Sequence, residues 1–236
     1  MAFVAGIDGC RAGWLAVLLD PDGGGSECAI ARRWRELPLA GAQMAAVDMP
    51  IGLSEAGPRA CDVEARRLLP RGRISSVFAP PRRAMLDCRS WAEANALGKA
   101  REGRGLSRQA WNITARIREL DRALGPADQD RVREAHPELV FHRLNAFATE
   151  VDSRRPVPPK RSAAGRAARL VLLGSAGVRG LEALIARLPR AQARPDDLLD
   201  AAACALAARD MLRGVATRLP ADPPRDARGL RMEIWF

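Results

Sequence analysis

Phe3-Val4-Ala5-Gly6-Ile7-Asp8-Gly9-Cys10-Arg11-Ala12-Gly13, followed by the apolar run from Trp14 to Leu19, is the stretch on which the fold turns. An apolar run closed by an acid, then a tight glycine turn and a second apolar run, predicts two antiparallel strands. Pro21-Asp22-Gly23-Gly24-Gly25 is a turn cluster, and residues 27–34 alternate loosely, so a third antiparallel strand completes a meander. Met44-Ala45-Ala46-Val47-Asp48 is another buried run that ends in an acid and is halted by Met49-Pro50. It predicts a central strand parallel to the first.

Outward from these strands the chain becomes helical. Residues 57–105 are arginine-rich and broken by prolines, including Phe78-Ala79-Pro80-Pro81-Arg82-Arg83, which predicts short helices and loops over one side of the sheet. Residues 107–124 carry helical spacing at Trp111, Ile113, Ile117 and Leu120, with Ser107 as cap and Gly125-Pro126 as stop. The spacing assigns Trp111 to the core ahead of base stacking. Leu139-Val140-Phe141, after the turn Ala135-His136-Pro137, reads as a short strand, and residues 153–161 as an exposed basic loop. Helices are expected over 163–173 and 181–188, and an alanine-rich one from Asp196 or Asp197 to about Leu212, with acids at its amino end. Gly174-Ser175-Ala176-Gly177 lacks the Gly-Lys-Ser/Thr tail of a phosphate loop and reads as a helix stop. Glu233-Ile234-Trp235-Phe236 closes the chain as an edge strand. The α/β pattern suits one domain over 1–236, with an arginine-rich helical and loop insertion around 57–135.

Composition narrows the function classes. The hydrophobic fraction of 47% and charged fraction of 28% describe a folded globular chain. No uncharged apolar stretch approaches the roughly 20 residues that cross a bilayer, so no membrane role is expected. The amino terminus lacks a basic leader, and the expectation is a cytoplasmic protein. Five cysteines, none two or three residues apart, form neither a zinc ribbon nor a disulfide framework. Only His136 and His142 offer imidazole, so carboxylates must do most of any metal binding. The net charge of +10 favours a nucleic-acid partner, although the two lysines, Lys99 and Lys160, leave 36 arginines among 38 basic residues, a pattern of compositional bias.

Asp8 and Asp48 each terminate an apolar strand, and Asp197 and Asp200 lie three apart in the first turn of the last helix, on one face of it. If the first and fourth strands are neighbours, all four emerge at one end of the sheet. Carboxylates crowded there repel unless a cation lies among them, and oxygen-only donors suit Mg2+ or Mn2+. A pair of such ions about 3.5–4 Å apart can activate water and stabilise the leaving oxygen of a phosphodiester. Singly, each acid is explained as well by turn formation or helix capping. Arg11, in the glycine turn, can hold a phosphate bidentately or simply face solvent. His136 is either a proton shuttle or a turn histidine.

Several blocks resemble domain-of-unknown-function family 429: Gly6 to Trp14, Val47 to Leu53, Ser75-Ser76-Val77-Phe78 with Pro81 and Arg83, Gln109 to Ile113, Glu134 to Glu138 with Phe141, and Asp196 to Ala201. They run in order through nearly the whole chain. That family is regarded as predicted nucleases with an RNase H-like fold. The resemblance implies a mixed five-stranded sheet, its first three strands antiparallel, flanked by helices. In the wider RNase H-like group, and in Holliday-junction resolvases especially, an acid ends the first strand, another follows a central strand, and the last helix opens with two acids three apart. Asp8, Asp48, Asp197 and Asp200 match those positions, although many relatives carry a glutamate where Asp48 stands. The resemblance adds Glu134 as a further metal ligand or as a support for His136, with a solvated acid before a turn as the alternative, and Arg83 with the Ser75-Ser76 pair as groove residues. Resolvases act as dimers, which makes a homodimer an expectation too.

The leading reading is a metal-dependent nuclease with catalytic acids Asp8, Asp48, Asp197 and Asp200. Two rivals stay open. One is a non-catalytic nucleic-acid- or protein-binding module of the same fold. The other is an actin-like phosphotransferase, which needs a second sheet domain and a second phosphate-binding glycine turn that this chain lacks.

Overall fold

The computed structural model describes residues 2–148 and 156–236. Strands β1 (Phe3–Cys10), β2 (Gly13–Leu19) and β3 (Ser26–Ala31) form the expected meander. Strand β4 (Ala42–Val47) runs parallel to β1, and β5 (Val132–Glu134) parallel to β4, giving the sheet order β3-β2-β1-β4-β5. The fold is therefore α/β, with a mixed five-stranded sheet. Its topology has a direct consequence for chemistry, because β1, β4 and β5 all point the same way. Their carboxyl ends deliver Asp8, Asp48 and His136 to one edge of the molecule, the side on which open α/β sheets bind ligands.

Helices cover both faces. Between β4 and β5 lie α1 (Ala60–Leu68), α2 (Trp91–Glu102) and α3 (Arg108–Ala123), joined by loops and short 3-10 turns. Helix α3 begins at Ser107, whose hydroxyl accepts from the Ala110 amide, and it buries Ile117 and Leu120 against Ile7, Ala16 and Val47. Glu119 of the same helix accepts from the Trp14 indole at 2.9 Å and the Trp34 amide at 2.8 Å, which pins α3 to β2. The insertion does not keep to one side as expected: Cys61, Ala65 and Leu69, on or just after α1, join the core of the opposite face.

That opposite core is built by α4 (Pro137–Ala148), α5 (Ala163–Ser175), α6 (Leu181–Arg187) and α7 (Pro195–Leu212). Helix α7 is buried from Leu198 through Asp210, and apart from Asp200, Arg209 and Asp210 that stretch is apolar or small all round, so no single stripe dominates. It lies along β1 at backbone distance, because Gly6 presents no side chain to Ala201 and Ala205. A larger residue at position 6 would lift the helix off the strand.

Three local expectations are corrected. Leu139-Val140-Phe141 is not a strand but the buried first turn of α4, which Pro137 opens with a fixed φ while the His136 carbonyl accepts from Leu139 and Val140. A three-residue apolar run does not discriminate strand from helix, and the β-strand of that region lies just before it. The third strand stops at Ala31, and Trp34–Glu36 turns in a 3-10 helix. The closing segment contributes only β7 (Ile234–Trp235), paired with β6 (Arg218–Leu219) in a separate two-stranded sheet. Of the expected basic loop, 153–155 lies outside the described residues. No helix of the described residues is long and apolar enough to cross a membrane.

Candidate metal centre

Asp8 sits near the end of β1, and its Oδ1 accepts from the Gly9 amide at 2.7 Å. Asp48 follows β4 directly, and its amide donates to the Ile7 carbonyl at 2.8 Å, continuing the ladder by one rung. Asp200 lies in the second turn of α7, which the Gly6 contact brings down onto β1. One carboxylate oxygen from each of Asp8, Asp48 and Asp200 lies within 4.8 Å of the others. Three separate elements thus converge on one point.

The electrostatics follow from the geometry. Burial, then repulsion from Asp48 and Asp200, pushes Asp8 well above the usual carboxylate range. Burial also raises Asp48, with His136 and Lys160 opposing. Asp200 is 1% exposed, and its burial carries it up to about 7 against the pull of Lys160. Such a cluster is stable only when protonated or when a cation shares it. Lys160 supplies one positive charge by pairing with Asp200 Oδ2. Asp200 Oδ1 remains buried without a hydrogen-bond partner. An all-oxygen donor set with one orphaned carboxylate oxygen fits a hard divalent ion such as Mg2+ or Mn2+.

The centre opens into a cavity of about 280 Å³, whose walls include Ser76, Phe78, Gln109, Arg116 and His136. A neighbouring groove of about 560 Å³ shares Val77, Phe78 and Gln109 with it and carries Arg66, Arg82 and Arg104.

The family model described as Protein of unknown function (DUF429) matches residues 6–225. The chain belongs to that family. No match emerged among curated proteins or among solved structures. In this DUF429 chain the sequence blocks ending strands β1, β4 and β5 and the block opening α7 meet at the carboxylate centre.

The remaining expected site residues separate in space. Asp197 does not join the group of three. Its Oδ2 accepts from the Arg194 amide at 2.9 Å, so it caps its own helix, with burial raising it and that amide opposing. Glu134 does not join the group of three either. It is fully enclosed, forks onto Arg59 with two 2.7 Å bonds and accepts from the Ile51 amide at 2.7 Å. Arg59 also pairs with Asp62 and donates to the Ile51 and Gly52 carbonyls. The buried Arg59–Glu134 pair therefore moulds the turn just after Asp48 and forms part of the wall of the same cavity. Arg83 pairs with Asp121 at 3.1 Å and with Asp226, tying the insertion to the carboxy-terminal segment. Arg11 is exposed on the β1–β2 turn with no ion pair among the described residues. His136 lies in the cavity wall, its Nε2 3.4 Å from the Ser76 carbonyl and its Nδ1 buried without a partner.

Sequence reasoning passed over Lys160, Arg116 and Arg73 in this DUF429 protein. Arg116 donates to the Gly13 carbonyl at 3.0 Å and to that of Cys10, bracing the glycine turn beside Asp8. Arg73 reaches Glu138 and the Val157 carbonyl. The one sequence signal for Lys160 was its rarity: lysine occurs twice, against 36 arginines.

Proposed function

We propose that this chain is a metal-dependent nuclease of the RNase H-like kind, hydrolysing phosphodiesters at Asp8, Asp48 and Asp200 with Mg2+ or Mn2+. The observation that carries the reading is the convergence of three carboxylates from β1, β4 and α7 within 4.8 Å, with Asp200 Oδ1 left unpartnered. Bound among them, a hard divalent ion supplies Lewis acidity toward a phosphoryl oxygen and lowers the pKa of water. The chain's own groups do the rest. The Gly9 amide orients Asp8, and the Arg59–Glu134 pair sets the turn after Asp48. Arg73 and Arg116 bring positive charge to the cavity wall, where a phosphate backbone would run. Asp197 acts by starting α7 in register, which aims Asp200 one turn further on.

The groove carrying Arg66 and Arg104, with Arg82 forked onto Glu102 in its wall, supports a substrate longer than one nucleotide, and the net charge of +10 supports a polyanion. A second reading, a nucleic-acid-binding module without hydrolytic chemistry, draws on Lys160, which already neutralises part of the cluster. One experiment separates them. End-labelled single-stranded and duplex DNA, RNA, hybrid and four-way-junction substrates are incubated at fixed salt with Mg2+ or Mn2+, using wild type, Asp8→Asn and Asp200→Asn. Metal-dependent cutting lost in both variants is the expected outcome. Binding without cutting by all three proteins would favour the module.

A further inference from the structure

Lys160 reaches the carboxylate centre from a loop that is held on every side. Arg169, wholly buried, donates to the Pro158 carbonyl at 2.7 Å and pairs with Glu138 at 2.5 Å. Arg73 donates to the Val157 carbonyl, and the Ser162 hydroxyl to that of Pro159 at 2.7 Å. Gly165 approaches Pro159 so closely that a Cβ there would overlap its carbonyl oxygen. The ammonium is placed by this frame on Asp200 Oδ2, while Asp200 Oδ1 faces no partner. The two oxygens of one buried carboxylate are thus already divided between two cations, one present and one implied.

Charge counting points the same way. Three carboxylates carry three negative charges, and one divalent ion with one ammonium neutralises them. A second divalent ion beside Lys160 would leave two positive charges in excess within a partly buried site, an arrangement that Coulomb repulsion in low dielectric disfavours. Glu138 is matched by Arg169 and Arg73, and Asp197 keeps its charge while accepting from the Arg194 amide; counting it, a second divalent ion still leaves one positive charge in excess. The residue type also matters. An ammonium is a compact point charge with three donors and stands in for a small cation, whereas a planar guanidinium does not.

We propose that Lys160 is the second cation of the centre, so that Asp8, Asp48 and Asp200 bind one divalent ion and not two. The inference rests on the metal-centre reading above, and it makes Lys160 a positioning residue that fixes which Asp200 oxygen is available.

The test is a Mn2+ titration of the full chain by calorimetry and by electron paramagnetic resonance. Wild type is expected to take up one ion with the spectrum of an isolated Mn2+. Lys160→Met is expected to take up a second ion, with the broadened spectrum of a coupled pair about 3.5–4 Å apart. Two ions in wild type, or one in Lys160→Met, would overturn the proposal while leaving the metal centre standing. No ion bound to wild type would overturn both. If Lys160→Met does not fold, the wild-type count decides: one uncoupled ion sustains the assignment and a coupled pair removes it.

Discussion

Gly6 of β1 lies directly against Ala201 of α7, the residue after Asp200, and a Cβ on Gly6 would overlap the Ala201 carbonyl oxygen and the Ala205 amide nitrogen. The absence of one side chain sets the spacing between strand and helix, and that spacing sets the distance from Asp8 to Asp200. A packing detail two residues away from a carboxylate thus governs the centre.

Gly6→Ala is therefore expected to act on stability and site together. Overpacking in a filled core costs about 1–3 kcal/mol, and backbone neighbours that cannot rotate aside put this position at the upper end. Urea denaturation measures the first effect and a Mn2+ titration of the folded variant the second. Unchanged stability with unchanged Mn2+ affinity would show that α7 is not seated by this contact.

Arg59→Met tests the buried charge network in the wall of the same cavity. Removing the guanidinium leaves Asp62 and Glu134 enclosed without their counterion, and breaking a buried pair from one side costs about 3–5 kcal/mol. The expected result is a large drop in the denaturation midpoint. A loss below about 1 kcal/mol would mean that the two acids simply protonate at little cost.

Asp200 and Asp197 are three residues apart but have different partners, so their neutral variants are expected to diverge. Asp200→Asn removes a ligand at the point of convergence and should abolish Mn2+ binding. Asp197→Ala removes a helix cap and should cost about 1 kcal/mol of stability, with Mn2+ affinity changed much less. Equal loss of binding in the two variants would place Asp197 among the ligands.

The pH dependence follows from burial. Asp200 is raised to about 7 in the folded chain, while in the unfolded chain it titrates near its ordinary value of 3.8. Between those values the folded state holds the extra proton, so stability is full below the lower one and falls as pH rises toward 7. A divalent ion competes with that proton, so its stabilisation should be small at pH 5 and large at pH 8. Thermal melts with and without Mn2+ at both pH values test this, and a metal-induced rise in Tm that is larger at pH 5 would contradict it.

Much of the frame was legible in the chain itself. Alternating and continuous apolar runs separated by glycine turns determine β1, β2 and β3, and the run closed by Asp48 determines β4, because strand periodicity and turn chemistry are local properties. Ser107 and the spacing of Ile117 and Leu120 determine α3 in the same way. Asp8, Asp48, Asp197 and Asp200 could be singled out because acids at strand ends and at a helix start are visible in one dimension, but that pattern does not tell Asp197 from the three that converge. Leu139-Val140-Phe141 was misread because three apolar residues satisfy either period.

The tertiary structure alone decided which charges meet. The family resemblance puts Glu134 and Arg83 among the site residues, but the partners they meet are distant in sequence: Arg59 lies 75 positions from Glu134 and Asp226 lies 143 from Arg83. Lys160 lies 40 positions from Asp200, in a proline-rich loop that reads as solvent-facing, and it reaches the carboxylates only because Arg73, Arg169 and Gly165 hold that loop against them. Backbone conformation is encoded by near neighbours. The pairing of buried charges is set by desolvation and distance in the packed fold, which no local pattern records.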